Sequence, residues 1–253
     1  MAPIDINNQE INSITLNGST EIDTVTVNGQ EVFSAKPAIF GSPVFQTDAT
    51  QYSLNDNDVV NQLIDFSSNN NSGSGRSGTA NYRENSINGN PGIDFNNSAT
   101  FSTPQFLSGS SSTEVMYVLA SDNSGDDNGL HVFTSSSSKT RYVYQGSEIY
   151  ENFGSNSRYV DGRGTTLNIS NPHIYTASFD GSTGEVYQNN TFVGSGGGSF
   201  SVPSNSYIIG TNGGDQNDTN AVIGEIIIHD RSLTSTERDN EWNRLATKWG
   251  ITL

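Results

Sequence analysis

From about residue 37 onward the chain repeats one pattern: short runs with apolar residues at alternate positions, set between long stretches of Ser, Gly and Asn. Alternation of that period puts apolar side chains on one face of a strand, and the Ser/Gly/Asn stretches have the chemistry of turns. Glu114 to Ala120, His131 to Thr134, Thr140 to Tyr144, His173 to Phe179, Gly184 to Gln188 and Val222 to His229 read as strands. Ser67 to Gly78, Ser121 to Asn128 and Ser195 to Ser199 read as loops. Only 32% of residues are hydrophobic, which such strands tolerate, and the 9% of aromatics are too many for a disordered chain. The expectation is an all-β chain: one antiparallel β-sandwich over residues 37–253, preceded by a small attachment segment of β-hairpins at 1–36.

One stretch breaks the two-residue period. Trp242, Leu245, Ala246 and Trp249 recur at i, i+3, i+4 and i+7, the spacing of one helical face. Thr234 with Glu237 makes a capping box ahead of them, and Gly250 stands where a left-handed C-cap is wanted. This predicts a C-terminal helix whose tryptophans pack on a sheet and do not form a sugar platform. At the other end, Ile14-Thr15-Leu16-Asn17-Gly18 and Val25-Thr26-Val27-Asn28-Gly29 are two versions of one phrase. Each ends in the strongest short hairpin signal, and neither is large enough to hold a core alone.

The charge balance excludes partners. With 11 basic and 27 acidic residues the net charge is −16, which repels nucleic acid and anionic lipid. The lysines are Lys36, Lys139 and Lys248. A carboxylate-rich, lysine-poor surface suits life in high salt; plain solubility is the alternative. The absence of cysteine removes disulfides, thiolate metal sites and thiol nucleophiles. No run approaches the ~18 apolar residues of a membrane span, and the N-terminus has no secretory signal pattern.

Four phrases resemble the concanavalin A-like, laminin G-like lectin/glucanase superfamily, in the versions found in tailed-virus and microbial surface proteins. They are Asp48 to Leu54 leading to Leu63-Ile64-Asp65-Phe66, then Ile87 to Phe95, then Ser178 to Gly181 with Val186 to Asn190, and finally Ile223 to Thr234 running into the helix. The resemblance implies a concanavalin A-like jelly roll. Leu63-Ile64 stands where the family often has tryptophan. Val27-Asn28-Gly29-Gln30-Glu31-Val32-Phe33 is similar to the end of short virion-attachment segments. Together these imply a non-enzymatic virion surface protein, a turret, decoration or tail-fibre component. It would be made in the host cytoplasm and docked to other virion proteins through residues 1–36. A homo-oligomer, trimer or pentamer, is expected, because a small hairpin arm gains by pairing around a symmetry axis. The alternatives are a cellular carbohydrate-binding or adhesion module and an architectural capsid protein without a ligand.

Catalysis finds little support. Hydrolases of this superfamily carry Glu-x-Asp-x-x-Glu on one strand. Glu21-Ile22-Asp23 comes nearest, but Thr26 stands in place of the acid. His131, His173 and His229 lie in separate strands without ligand spacing. No catalytic residue is therefore expected. Two binding constellations remain. Tyr142, Tyr144 and Tyr150 with Asn152 and Arg158 could stack and hydrogen-bond a host-surface glycan, or simply stabilise the sheet as cross-strand pairs. Asp122, Asp126, Asp215, Asn217 and Asp218 offer hard oxygen donors of the kind calcium takes, or form loops solvated by water. Calcium is the only cofactor these residues suggest.

Overall fold

The computed structural model describes residues 40–95, 99–107, 110–120, 170–197, 207–210 and 221–253 with their side chains. Further strands are described by backbone alone. The chain divides into two compact units, Met1–Ile39 and Phe40–Leu253.

The first unit contains two hairpins. β1 (Ile4–Ile6) pairs with β2 (Gln9–Ile11), and β3 (Thr24–Val27) pairs with β4 (Gln30–Ser34), both antiparallel. In the second hairpin the register sets Val27 opposite Gln30, and the Asn28-Gly29 pair between them lies outside the described residues. The Asn17-Gly18 phrase lies outside the described residues.

The second unit follows as β5 (Phe45–Asp48), β6 (Val59–Val60), β7 (Gln62–Leu63), β8 (Gly73–Ser77), β9 (Ala80–Ile87), β10 (Asn90–Asp94), β11 (Thr100–Thr103) and β12 (Thr113–Ser121). Then come β13 (Asn128–Ser135), β14 (Ser138–Gln145), β15 (Glu148–Glu151), β16 (Val160–Asp161), β17 (His173–Phe179), β18 (Thr183–Gln188), β19 (Thr191–Gly197), β20 (Tyr207–Gly210), β21 (Ala221–His229) and α1 (Ser235–Trp249). One sheet has the order β19-β18-β17-β12-β21-β10-β9-β6, with β5 joining the free part of β21. The other has the order β16-β15-β14-β13-β20-β11-β8-β7. Neighbouring strands pair antiparallel throughout, so the unit is a two-sheet sandwich.

Two loop expectations are corrected. Gly73–Ser77, read as part of a loop, is a strand paired with β11. A Cβ at Gly73 would stand 2.7 Å from the Thr103 methyl, so glycine here lets two strands approach and does not mark a turn. Ser195 to Gly197, also read as loop, completes edge strand β19 against β18. Composition misleads at an edge, where one face needs no apolar side chain.

The strands at the middle of the larger sheet are covered on both faces. Val115, Met116, Tyr117, Val118 and Leu119 are all buried, as is the Ile226-Ile227-Ile228 run of β21. Continuous apolar runs of this kind belong to strands buried on both sides. Toward the sandwich interior, Phe106 stacks on Phe45 of one sheet at 5.5 Å and meets Tyr207 of the other edge-on at 4.9 Å. Phe95 and Phe101 make a similar crossing at 5.7 Å.

The opposite face lies under α1, the single α-helix among the described residues. The cap forms as the sequence predicts: Thr234 accepts from Glu237 N, Glu237 accepts from Thr234 N, and Gly250 is left-handed at φ 63°. Trp242, Leu245, Ala246 and Trp249 are buried. Trp242 Nε1 donates to Thr176 Oγ1, and Trp249 Nε1 donates to Glu225 Oε2. The β9–β10 turn receives the helix end, as Asn88 Nδ2 donates to the carbonyls of Trp249 and Gly250. Those carbonyls have no partner within a helix, so a side-chain donor here satisfies an obligatory need.

Candidate functional site

Much of what the sequence singled out falls where side chains are not described. Tyr142 and Tyr144 lie in β14 and Tyr150 in β15. The register sets Tyr150 opposite Val143, one position out of step with the other two tyrosines. Asn152, Arg158, Asp122, Asp126, Asp215, Asn217 and Asp218 lie outside the described residues. Among the described residues, no group of three or more His, Asp or Glu could hold a metal ion. His173 and His229 are both buried. Burial lowers both pKa values, that of His229 to about 4, so both are neutral near pH 7.

The helix-covered face carries two ionic clusters that the sequence reading missed. Antiparallel partners share a face, so Glu114, Ser178 and His229 line up across β12, β17 and β21. Arg238 of α1 reaches down to Glu114 with two hydrogen bonds, at 2.6 and 2.9 Å, and also donates to Ser178 Oγ. Further along, Glu225 receives Arg244 at 2.7 Å and Lys248 at 2.7 Å, while Arg244 also holds Glu241 and Lys248 reaches Asp48. Burial alone would raise Glu225, but Arg244 and Lys248 outweigh it and hold its pKa down to about 2. Each of these charges has an ionic partner across the helix–sheet contact or along the helix, and together they seat the helix.

Beyond the helix the same face opens to solvent on β18 and β19. Tyr187 pairs with Thr176 on one side and Phe192 on the other, so all three share the helix side of the sheet. The turn between these strands is Asn189-Asn190, with Asn189 at φ 54°, a conformation asparagine tolerates. Tyr187 packs against Trp242 at 5.2 Å between centroids and meets Phe192 edge-on at 5.6 Å. The Arg238 guanidinium lies 5.2 Å from the Tyr187 ring centroid. Phe192 itself is 53% exposed, the most exposed large hydrophobic side chain among the described residues.

The shelf has a polar margin. Tyr187 donates its hydroxyl to Glu185 Oε2 at 2.7 Å. Burial, and then this hydrogen bond, push the Tyr187 pKa up to about 12, so it stays a donor. Helical periodicity sets exposed Asp239 and Asn243 on the other flank of α1 from Glu241, Arg244 and Lys248. An exposed ring fixed by a second ring, with a carboxylate beside it, is an arrangement that holds a sugar: the ring stacks and the oxygens orient. Nothing about Phe192 marks it in the sequence beyond its place just after a turn.

Elsewhere a concavity of about 230 Å³ lies among β6, β8 and β11, with Val59, Asn61, Arg76, Ser77 and Thr100 in its wall. Its aromatic neighbour Phe101 is 1% exposed, so it offers no stacking face.

No protein-family model matches the chain, and no curated protein matches its sequence. Solved structures do match its fold. Domain 4 of an extracellular GH43 arabinanase from Geobacillus stearothermophilus, solved with arabinotriose, aligns at a TM-score of 0.57 and 17% identity, covering 74% of this chain and 100% of that domain. Trypanosoma rangeli sialidase with the inhibitor DANA aligns at 0.55 and 14% identity, covering 91% of this chain and 36% of the sialidase. A botulinum neurotoxin DC binding domain, in complex with SialylT, aligns at 0.56 and 12% identity, covering 85% and 56%. The chain therefore spans the whole of the arabinanase domain but only part of the other two. At such identities the likeness is one of fold: the main unit is an all-β, two-sheet antiparallel sandwich of the concanavalin A-like kind, closed by one C-terminal helix.

Proposed function

We propose that the Phe40–Leu253 unit is a non-catalytic carbohydrate-binding module that takes a saccharide on the Phe192–Tyr187 shelf. The observation that carries this reading is the exposed Phe192 ring, held from behind by Tyr187 and bordered by Glu185. Exposing so large a ring costs solvation, and a sugar's C–H face covers it. The arabinanase domain with its bound arabinotriose supports the same ligand class. Titration of the full chain with neutral oligosaccharides, arabinotriose among them, tests it. Weak saturable binding that Phe192→Ala abolishes supports the reading; binding that the variant leaves unchanged removes the shelf from it.

The finer reading is display on a virus particle. The separate Met1–Ile39 unit supports a docking arm, as does the likeness of Val27–Phe33 to virion-attachment segments. In that reading the arm binds other virion proteins, copies assemble as a trimer or pentamer, and the sandwich faces outward to host glycan. Deleting residues 1–36 should leave a folded sandwich that no longer enters particles. Incorporation of the deletion variant would favour a cellular adhesion module instead.

A further inference from the structure

We infer that the shelf selects uncharged saccharides and rejects sialylated or otherwise anionic ones. This rests on the shelf reading above and concerns what the shelf's charges do to its ligand.

An anionic sugar needs a cation or a set of free donors to replace its hydration. Around the shelf, the described cation is Arg238, and it is committed. Its guanidinium makes two hydrogen bonds to Glu114, a third to Ser178, and lies against the Tyr187 ring, leaving the residue 8% exposed. Arg244 and Lys248 belong to the cluster around Glu225 on the other flank of the helix. The tyrosine hydroxyl is committed as well, donating to Glu185.

Among the described residues, what the margin offers is acceptors. Glu185 Oε2 takes the tyrosine proton, and Oε1 has no partner among the described residues. Exposed Asp239 adds a second carboxylate on the near flank of α1. Carboxylates accept from sugar hydroxyls and repel a sugar carboxylate, and the chain's net charge of −16 adds to the repulsion at longer range. Specificity of this kind comes from a repulsive element as much as from an attractive one.

The test is an array carrying neutral oligosaccharides and their sialylated counterparts, probed at about 0.15 M salt with the full chain, Phe192→Ala and Glu185→Gln. Circular dichroism confirms that each variant is folded. The inference expects neutral members to be retained at least ~10-fold better than their sialylated partners, this retention to vanish in Phe192→Ala, and the gap to narrow in Glu185→Gln. Sialylated members bound as well or better, and lost with Phe192, would overturn the selectivity while leaving a glycan-binding shelf. Binding indifferent to Phe192, or no binding to any member, would overturn both.

Discussion

Arg238 of the helix and Glu114 of the sheet form a two-bond ion pair, 2.6 Å from Nε to Oε1 and 2.9 Å from Nη2 to Oε2, with the Glu114 side chain fully buried. The same carboxylate accepts from Ser178 Oγ and from the backbone N–H of Leu233, at the turn where β21 hands over to α1. It therefore ties together the strand, its neighbour and the helix entry. Removing one partner leaves a buried charge uncompensated, which costs far more than a surface pair is worth. Arg238→Ala should destabilise the sandwich by about 3–5 kcal/mol, read from urea unfolding. The double variant Arg238→Met with Glu114→Leu should lose much less than the two single changes together.

Stability should fall on acidification in two stages. His229 is buried with Nδ1 against the Gly41 carbonyl and Nε2 without a hydrogen-bond partner, and burial lowers its pKa from 6.5 to about 4. A histidine with a depressed folded pKa contributes stability above the unfolded value and loses it as pH falls through the folded one. The first loss thus runs from pH 6.5 to about 4 and is worth roughly 3 kcal/mol. Glu225, held at about 2 against an ordinary 4.5, contributes stability above pH 4.5 that disappears toward pH 2. Glu241 opposes part of this, because burial outweighs its bond to Arg244 and raises its pKa. Denaturant midpoints between pH 7 and 3 check the course; His229→Phe should shrink the first stage only, since His173, buried and with its pKa also lowered, contributes to the same stage.

Gly224 sits at the irregularity in the β12–β21 register, directly beneath Trp249. A Cβ there would stand 2.7 Å from two atoms of the indole ring. Gly224→Ala should therefore lift the helix end off the sheet, costing about 1–3 kcal/mol. The readout is a lowered thermal midpoint together with a shift in tryptophan fluorescence, since Trp249 is fully buried.

The strands with strong alternation or continuous apolar runs, such as His173–Phe179 and Ala221–His229, were legible because burial on one or both faces dictates their residues. The capped helix was equally plain, since Thr234, Glu237 and Gly250 each answer a local backbone need. Gly73–Ser77 and the end of β19 were not, because close approach and an open edge both select Gly and Ser, as turns do. The candidate site was harder still. Glu114, Arg238 and Ser178 are far apart in sequence and meet only through register and helix packing. Phe192 becomes notable only once its exposure is known; an aromatic beside a turn otherwise reads as ordinary core.

The most direct test of the central claim is NMR of the full chain with a neutral oligosaccharide, following magnetisation transfer between aromatic side chains and sugar C–H protons. The account predicts transfer from the Phe192 ring, with Glu185 and Tyr187 resonances shifting in step and all of it lost in Phe192→Ala. Transfer only from tyrosines of the Tyr142–Tyr150 stretch would contradict it and move the binding face to the other sheet.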